Sequence, residues 1–228
     1  MDTVDELIEE VHSDRLARML DLCAREVPGF SVKFKDRSAL MRGLNFFAQL
    51  FNPVFMTRYT TTVGTTVYFP SKADLLLFEE MYASVLAHEL VHMVERKERG
   101  IVYNLSYAFP QVLAVGAALS VLSVWNLWFL LSLLFLLALA PIPSPGRRDI
   151  EYNGYEMSLA VTYWRRGSFA DEDFEWVASQ FVSSNYYFMW PFKDDVMHEL
   201  KMRAQGIRTG EILKRPLFRK VHDIIKLK

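Results

Sequence analysis

The sequence predicts an α+β fold, mostly helical, in which a small antiparallel or mixed sheet packs on one central helix and an apolar helical hairpin is inserted. Three observations carry this. A stretch rich in β-branched and aromatic residues, 54–69, comes just before a long helix-permissive run, 74–95. That run contains Ala87-His88-Glu89-Leu90-Val91-His92-Met93, an H-E-x-x-H pattern. No Asp, Glu, Lys, Arg or His then occurs from Ile101 to Gly146, after which helical patterning resumes.

The elements follow in order. Residues 5–26 carry Leu7, Ile8, Val11, Leu16, Met19, Leu20 and Cys23 at helical spacing, and Pro28-Gly29 ends that helix. Residues 30–35 alternate Phe30, Val32 and Phe34 with Ser31, Lys33 and Lys35, the pattern of a half-buried strand. Ser38 can cap a helix reaching Leu50, stopped before Asn52-Pro53. Residues 54–63 and 65–69 read as two strands about Gly64, and residues 71–74 open the motif helix. Past the insert, residues 157–164 continue a helix that stops at Gly167. Further helices are expected from Asp171, over 193–204 and over 216–227, the last basic and amphipathic and suited to an anionic lipid surface or to a solvated face. The aromatic cluster Tyr186-Tyr187-Phe188-Met189-Trp190-Pro191 suits a pocket wall, a membrane interface or the core.

With 26 basic and 27 acidic residues, the chain has no charge excess that would make nucleic acid a general partner. Cys23 is the only cysteine, which excludes an internal disulfide and a thiolate metal cluster and favours a reducing, cytoplasmic setting. The acidic, amphipathic N-terminus does not read as a secretory signal. There is no Gly-rich phosphate loop and no nucleophilic Ser or Cys constellation.

On a helix, His88 and His92 lie one turn apart on one face, so both imidazoles can reach one metal ion. Glu89 points to the neighbouring part of that face, where it can take a proton from a metal-bound water. A catalytic zinc centre needs a third protein ligand, and the candidates are Glu151 and Glu156. They are about 140° apart around a helix, so only one faces the metal. His198 has no second histidine four residues on and reads as a lone histidine.

With these residues the chain resembles the glutamate-type zincin metallopeptidases, in which H-E-x-x-H is followed by a second helix bearing Glu-x-x-small. Glu151-Tyr152-Asn153-Gly154 matches that second element, which implies Zn2+ held by His88, His92 and Glu151, with Glu156 as the fallback third ligand. The resemblance covers roughly residues 65–164. Its layout is similar to the membrane-embedded zincins, which include the heat-shock membrane protease and prenyl-protein endopeptidase families and which put hydrophobic spans between the motif and the third-ligand helix. Those families often carry Asp four residues after the ligand Glu, where this chain has Tyr155.

A single membrane crossing by the insert would put His88 and His92 across a bilayer from Glu151, so the insert must return. Two full α-helical crossings need roughly 40 residues. A short or re-entrant hairpin bending near Trp125-Asn126 therefore fits better. Its flanks are basic (Arg96, Lys97 and Arg99 before, Arg147 and Arg148 after), which sets both ends on the cytoplasmic side.

The expected organisation is residues 1–100 with the motif helix, 101–146 as the insert, and 147–228 with the third-ligand and closing helices. The expected function is zinc-dependent, membrane-associated endopeptidase activity on a peptide or protein substrate, with the catalytic part facing the cytoplasm and Glu89 as general base. The strand over 65–69 is expected to align the substrate, and Tyr155, Tyr163 and His198 are the candidate oxyanion donors. The alternative is a non-catalytic structural or interaction protein on the same scaffold, anchored by its insert in a membrane or a larger assembly.

Overall fold

The computed structural model describes residues 3–49, 54–57, 59–183 and 188–227. The chain is mostly helical with a small mixed sheet, in keeping with the α+β class. Strands β1 (Ser31–Phe34), β2 (Thr61–Val63) and β3 (Thr66–Phe69) run in the order β1-β3-β2, with β1 parallel and β2 antiparallel to β3. The strand expected to align a substrate, over 65–69, is thus the central one. Both of its edges are hydrogen-bonded, and the edges left without a partner strand among the described residues are the outer ones of β1 and β2.

The expected first helix is two: α1 (Val4–Glu10) and α2 (Asp14–Glu26). The break at Val11 to Ser13 is satisfied from far away, because the Glu79 carboxylate accepts from the His12 N–H at 2.9 and 3.0 Å and from the Ser13 N–H. Such a long-range cap has no local signature. Helix α3 (Ala39–Ala48) follows β1, and its expected end at Leu50 and Asn52-Pro53 lies outside the described residues. Residues 54–57 form a turn rather than the start of a strand. The expected motif helix is also divided, at Phe78, into α4 (Lys72–Leu77) and α5 (Glu79–Arg99).

Helix α5 is the axis of the fold. Glu79 and Glu80 open it and Arg96, Lys97 and Arg99 close it, each sign suiting the helix dipole. Gly100, at φ +55°, ends it by donating its N–H to the Arg96 carbonyl at 2.8 Å. Leu86, Ala87, Leu90 and Val91 are fully or almost fully buried, and α5 packs on both α2 and α7 (Pro145–Arg166). Helices α8 (Asp171–Val182), α9 (Lys193–Arg208) and α10 (Pro216–Ile225) complete the core. The apolar face of α10 (Phe218, Val221, Ile225) is buried against the rest of the protein, so it is not available to lipid. Of the aromatic cluster, Tyr186 and Tyr187 lie outside the described residues, whereas Met189 joins the core.

The insert begins with α6 (Ile101–Ala108), followed by two 3₁₀ helices, Gln111–Val124 and Leu127–Leu139, which form the two arms of the hairpin. The bend falls at Trp125-Asn126, and the Asn126 side chain caps the second arm by accepting from the Trp128 N–H at 3.0 Å. The arms run antiparallel: Gln111 reaches the Ala140 carbonyl, and Gly116 faces the Phe135 ring so closely that a Cβ would lie 2.7 Å from it. Most of the apolar side chains on these arms are exposed, with Trp125 at 80%. Among the described residues no single helix is long and apolar enough to cross a membrane, although α6 and the first arm reach that mark together across an 87° bend.

Candidate metal centre

Helices α5 and α7 bring His88, His92 and Glu151 together. The two Nε2 atoms are 2.9 Å apart, and Glu151 Oε2 lies 3.8 Å from that of His88 and 3.6 Å from that of His92. All three residues are buried, Glu151 to 3% exposure. Four ligands on an ion at ~2.05 Å stand about 3.3 Å apart in a tetrahedron. The three observed separations bracket that value, so this buried His-His-Glu group can hold a metal ion.

Gly154 makes the approach possible. Three residues after Glu151, it faces both rings, and a Cβ there would lie 2.7 Å from His88 Cε1 and Nε2 and from His92 Nε2. Ser158, one turn further along α7, lies 3.0 Å from His88 Nδ1 and 3.4 Å from the Gly154 carbonyl. With the hydroxyl donating to that carbonyl, Nδ1–H donates to the hydroxyl and the Nε2 lone pair is free to bind a cation.

The electrostatics are those of a paired site. Burial opposes ionisation of Glu151, but His92 and His88 beside it outweigh burial and hold its carboxyl below the usual carboxylate range. Burial likewise opposes protonation of His92, and the neighbouring Glu151, with Glu89 and Glu95, outweighs it and raises its pKa. Glu151 Oε2 and His92 Nδ1 are buried without a hydrogen-bond partner among the described residues. An orphaned carboxylate oxygen in the interior is costly unless a cation takes it.

The group opens on a cavity of ≈ 410 Å³. One wall is β2 and its flanks, Thr60, Thr61, Thr62 and Gly64. The floor is His88, Glu89 and His92, and the far wall is Tyr103, Asn104, Tyr107 and Arg147. Arg96, one turn beyond His92, adds a second guanidinium. Glu89 is therefore on the same cavity as the ligand atoms.

The remaining sequence candidates are elsewhere. Glu156 is turned to Arg203 and Arg215, at 3.1 and 2.7 Å, so the fallback ligand is tied into a structural ion-pair cluster. Tyr155 packs edge-on against His88 from the core side, Tyr163 stacks on Phe169, and His198 is exposed on α9. None of these three lines the cavity. Tyr103 and Tyr107 do, and sequence reasoning missed them. Their signal was a pair of tyrosines one helical turn apart just after the motif helix.

Compared with known proteins, the chain matches no family model, no curated protein and no solved structure.

Proposed function

We propose that this protein is a zincin-like, zinc-dependent endopeptidase whose apolar hairpin holds it at a membrane. The observation that carries the reading is the convergence of His88, His92 and Glu151 beside Glu89, on a cavity whose wall is a strand with a free edge. The donor set fits the ion: two imidazoles, one carboxylate, and a buried carboxylate oxygen that no donor among the described residues satisfies. Zinc bound there would polarise a substrate carbonyl and lower the pKa of water to ~7.

The chain's own groups would do the rest. The free edge of β2 offers N–H and C=O groups to an extended peptide, which would lie across the floor of the cavity. Glu89 would accept the proton of the attacking water and return it to the leaving amine. Tyr103, Asn104 and Arg96 line the same space and are the donors available to a developing oxyanion.

The membrane part of the reading rests on the hairpin. At about 2.0 Å rise per residue a 3₁₀ arm of 14 residues is about 28 Å long, short of the ~30 Å of a hydrocarbon core, so the hairpin would dip into a bilayer and return rather than cross it. Its backbone bonds are internal, as lipid demands, and its side chains are apolar on every face. Both ends return to a root flanked by arginines, which fits insertion from the cytoplasmic side.

The test uses the purified full chain in detergent. Stoichiometric zinc is expected, together with cleavage of unstructured proteins that Glu89→Gln reduces by about 10² to 10⁴ while keeping the metal. Absence of stoichiometric metal, or cleavage indifferent to Glu89→Gln, would overturn the enzyme reading. Tight metal binding without any cleavage would favour the non-catalytic alternative.

A further inference from the structure

The base of the hairpin touches the metal centre, and the contact runs through one phenol. Tyr107, on the last turn of α6, donates its hydroxyl to Glu151 Oε1 at 3.0 Å. The other oxygen, Oε2, has no hydrogen-bond partner among the described residues and is the one nearest both histidine Nε2 atoms. A carboxylate has two equivalent oxygens, and a buried one can rotate to present either. Here one is occupied by a donor and the other is left for a cation.

Tyr107 is itself held by the root of the insert. Arg147 Nε donates to the Tyr107 carbonyl at 2.9 Å, and its guanidinium lies 5.2 Å from the Tyr107 ring centroid. The same arginine reaches Gln111 Oε1 at 2.9 Å, at the start of the first 3₁₀ arm. Ser144, just before α7, donates to the Phe109 carbonyl. The two strands of chain that enter and leave the hairpin are thus fastened to each other within a few residues of Tyr107.

We propose that Tyr107 is a positioning residue of the metal centre, fixing Glu151 so that Oε2 alone faces the ion, and that the root of the hairpin holds Tyr107 in place through Arg147. The inference rests on the metal reading of His88, His92 and Glu151. It adds a dependence that the ligand set alone does not contain: the geometry of the centre is set in part by how the apolar insert is seated. Hydrogen-bonded partners of metal ligands orient them, and losing one commonly weakens metal binding by 10- to 100-fold.

The probe is Co2+, whose visible absorption reports ligand geometry and whose affinity is measured by competition with a chelator, on the full chain in detergent. Tyr107→Phe removes one hydroxyl and little else. It is expected to bind Co2+ about 10- to 100-fold more weakly than the parent and with shifted bands. Tyr103→Phe, on the same wall but with no hydrogen bond to His88, His92 or Glu151 among the described residues, is the control for Co2+ binding and is expected to match the parent in affinity and spectrum. Arg147→Met keeps the phenol and releases its anchor, and is expected to weaken binding in the same direction. Parent-like affinity and spectrum in Tyr107→Phe would overturn the positioning role while leaving the metal centre standing. A loss in Tyr107→Phe with none in Arg147→Met would overturn the part assigned to the hairpin root. A parent chain that binds no Co2+ would overturn this proposal and the metal reading together.

Discussion

Gly154 and His88 meet across the α5–α7 interface with no room for a side chain between them, since a Cβ at 154 would lie 2.7 Å from both Cε1 and Nε2 of the imidazole. The glycine is what lets the carboxylate-bearing helix come close enough for Glu151 to share a site with the histidines. Gly154→Ala should therefore separate stability from metal binding. Replacing a helical glycine with alanine gains about 1 kcal/mol in propensity, and overpacking a tight contact costs about 1–3 kcal/mol. The net loss of stability in the metal-free chain is expected to be at most about 2 kcal/mol, read by urea unfolding. Metal affinity, read by chelator competition, should fall much further, because the displaced atoms are the candidate ligand nitrogens themselves. Parent-like affinity in this variant would mean that the rings move aside without consequence.

Ser158 acts on the same imidazole from its other side. Its hydroxyl, 3.0 Å from His88 Nδ1, selects the tautomer whose Nε2 can bind a cation. Ser158→Ala is expected to lower metal affinity by about 10-fold while leaving the fold intact. Ser158→Thr keeps the hydroxyl and should retain most of the affinity. Equal losses in both would point to packing rather than to the hydrogen bond.

These two residues mark how far the site was legible. His88 and His92 are spaced by the helical repeat itself, and Glu151 to Gly154 by the same repeat on a second helix, so the grouping could be read from local periodicity. The bond of Tyr107 to Glu151, that of Arg147 to the Tyr107 carbonyl and the Glu79 cap of α2 depend on contacts between elements far apart in sequence, so the spacing of the two tyrosines could mark them but not name their partners. Strand order had the same difficulty: residues 61–63 and 66–69 are both β-formers, and only the parallel pairing of β1 with β3 leaves β2 at the edge. In the insert, a sequence apolar on every face specifies burial or lipid but carries no periodicity to separate 3₁₀ from α.

Lys35 offers a pH test at a group that is not itself a candidate ligand. Its side chain is fully buried, with Nζ donating to the Phe55 carbonyl at 2.7 Å and lying 3.8 Å from the Phe55 ring centroid. Burial lowers its pKa to about 7 from 10.5, against a smaller opposing pull from Glu89. Between those values the unfolded chain binds a proton that the folded chain does not. Stability should therefore rise with pH across that window, by up to about 1.4 kcal/mol per unit, and this contribution is lost as pH falls toward 7. Lys35→Met removes the group, so its stability relative to the parent should be most favourable near pH 7 and decline steadily toward pH 10. The lost bond to Phe55 adds only a constant offset. A pH-independent difference in urea midpoints would show that Lys35 titrates normally in the folded chain.

The hairpin makes the sharpest distinction between a lipid and a protein environment. Trp125 and Trp128 sit at its tip, 80% and 76% exposed, on a surface of leucine, valine and phenylalanine far larger than isolated exposed apolar residues would make. If the insert enters a bilayer, vesicles containing anionic lipid should shift tryptophan emission to the blue and protect it from an aqueous quencher. Trp125→Phe combined with Trp128→Phe should remove that response, since Trp164, Trp176 and Trp190 lie outside the insert. Gly116→Leu supplies the structural control. Its side chain would be driven into the Phe135 ring, where a Cβ alone already comes within 2.7 Å, so the two arms could not pack as they do. The variant is expected to lose the vesicle response if a paired hairpin is the inserting unit. Should the parent show no blue shift with vesicles, and instead self-associate as detergent is removed, the apolar arms would be covered by protein and the membrane reading would fall, leaving the metal centre to be judged on its own tests.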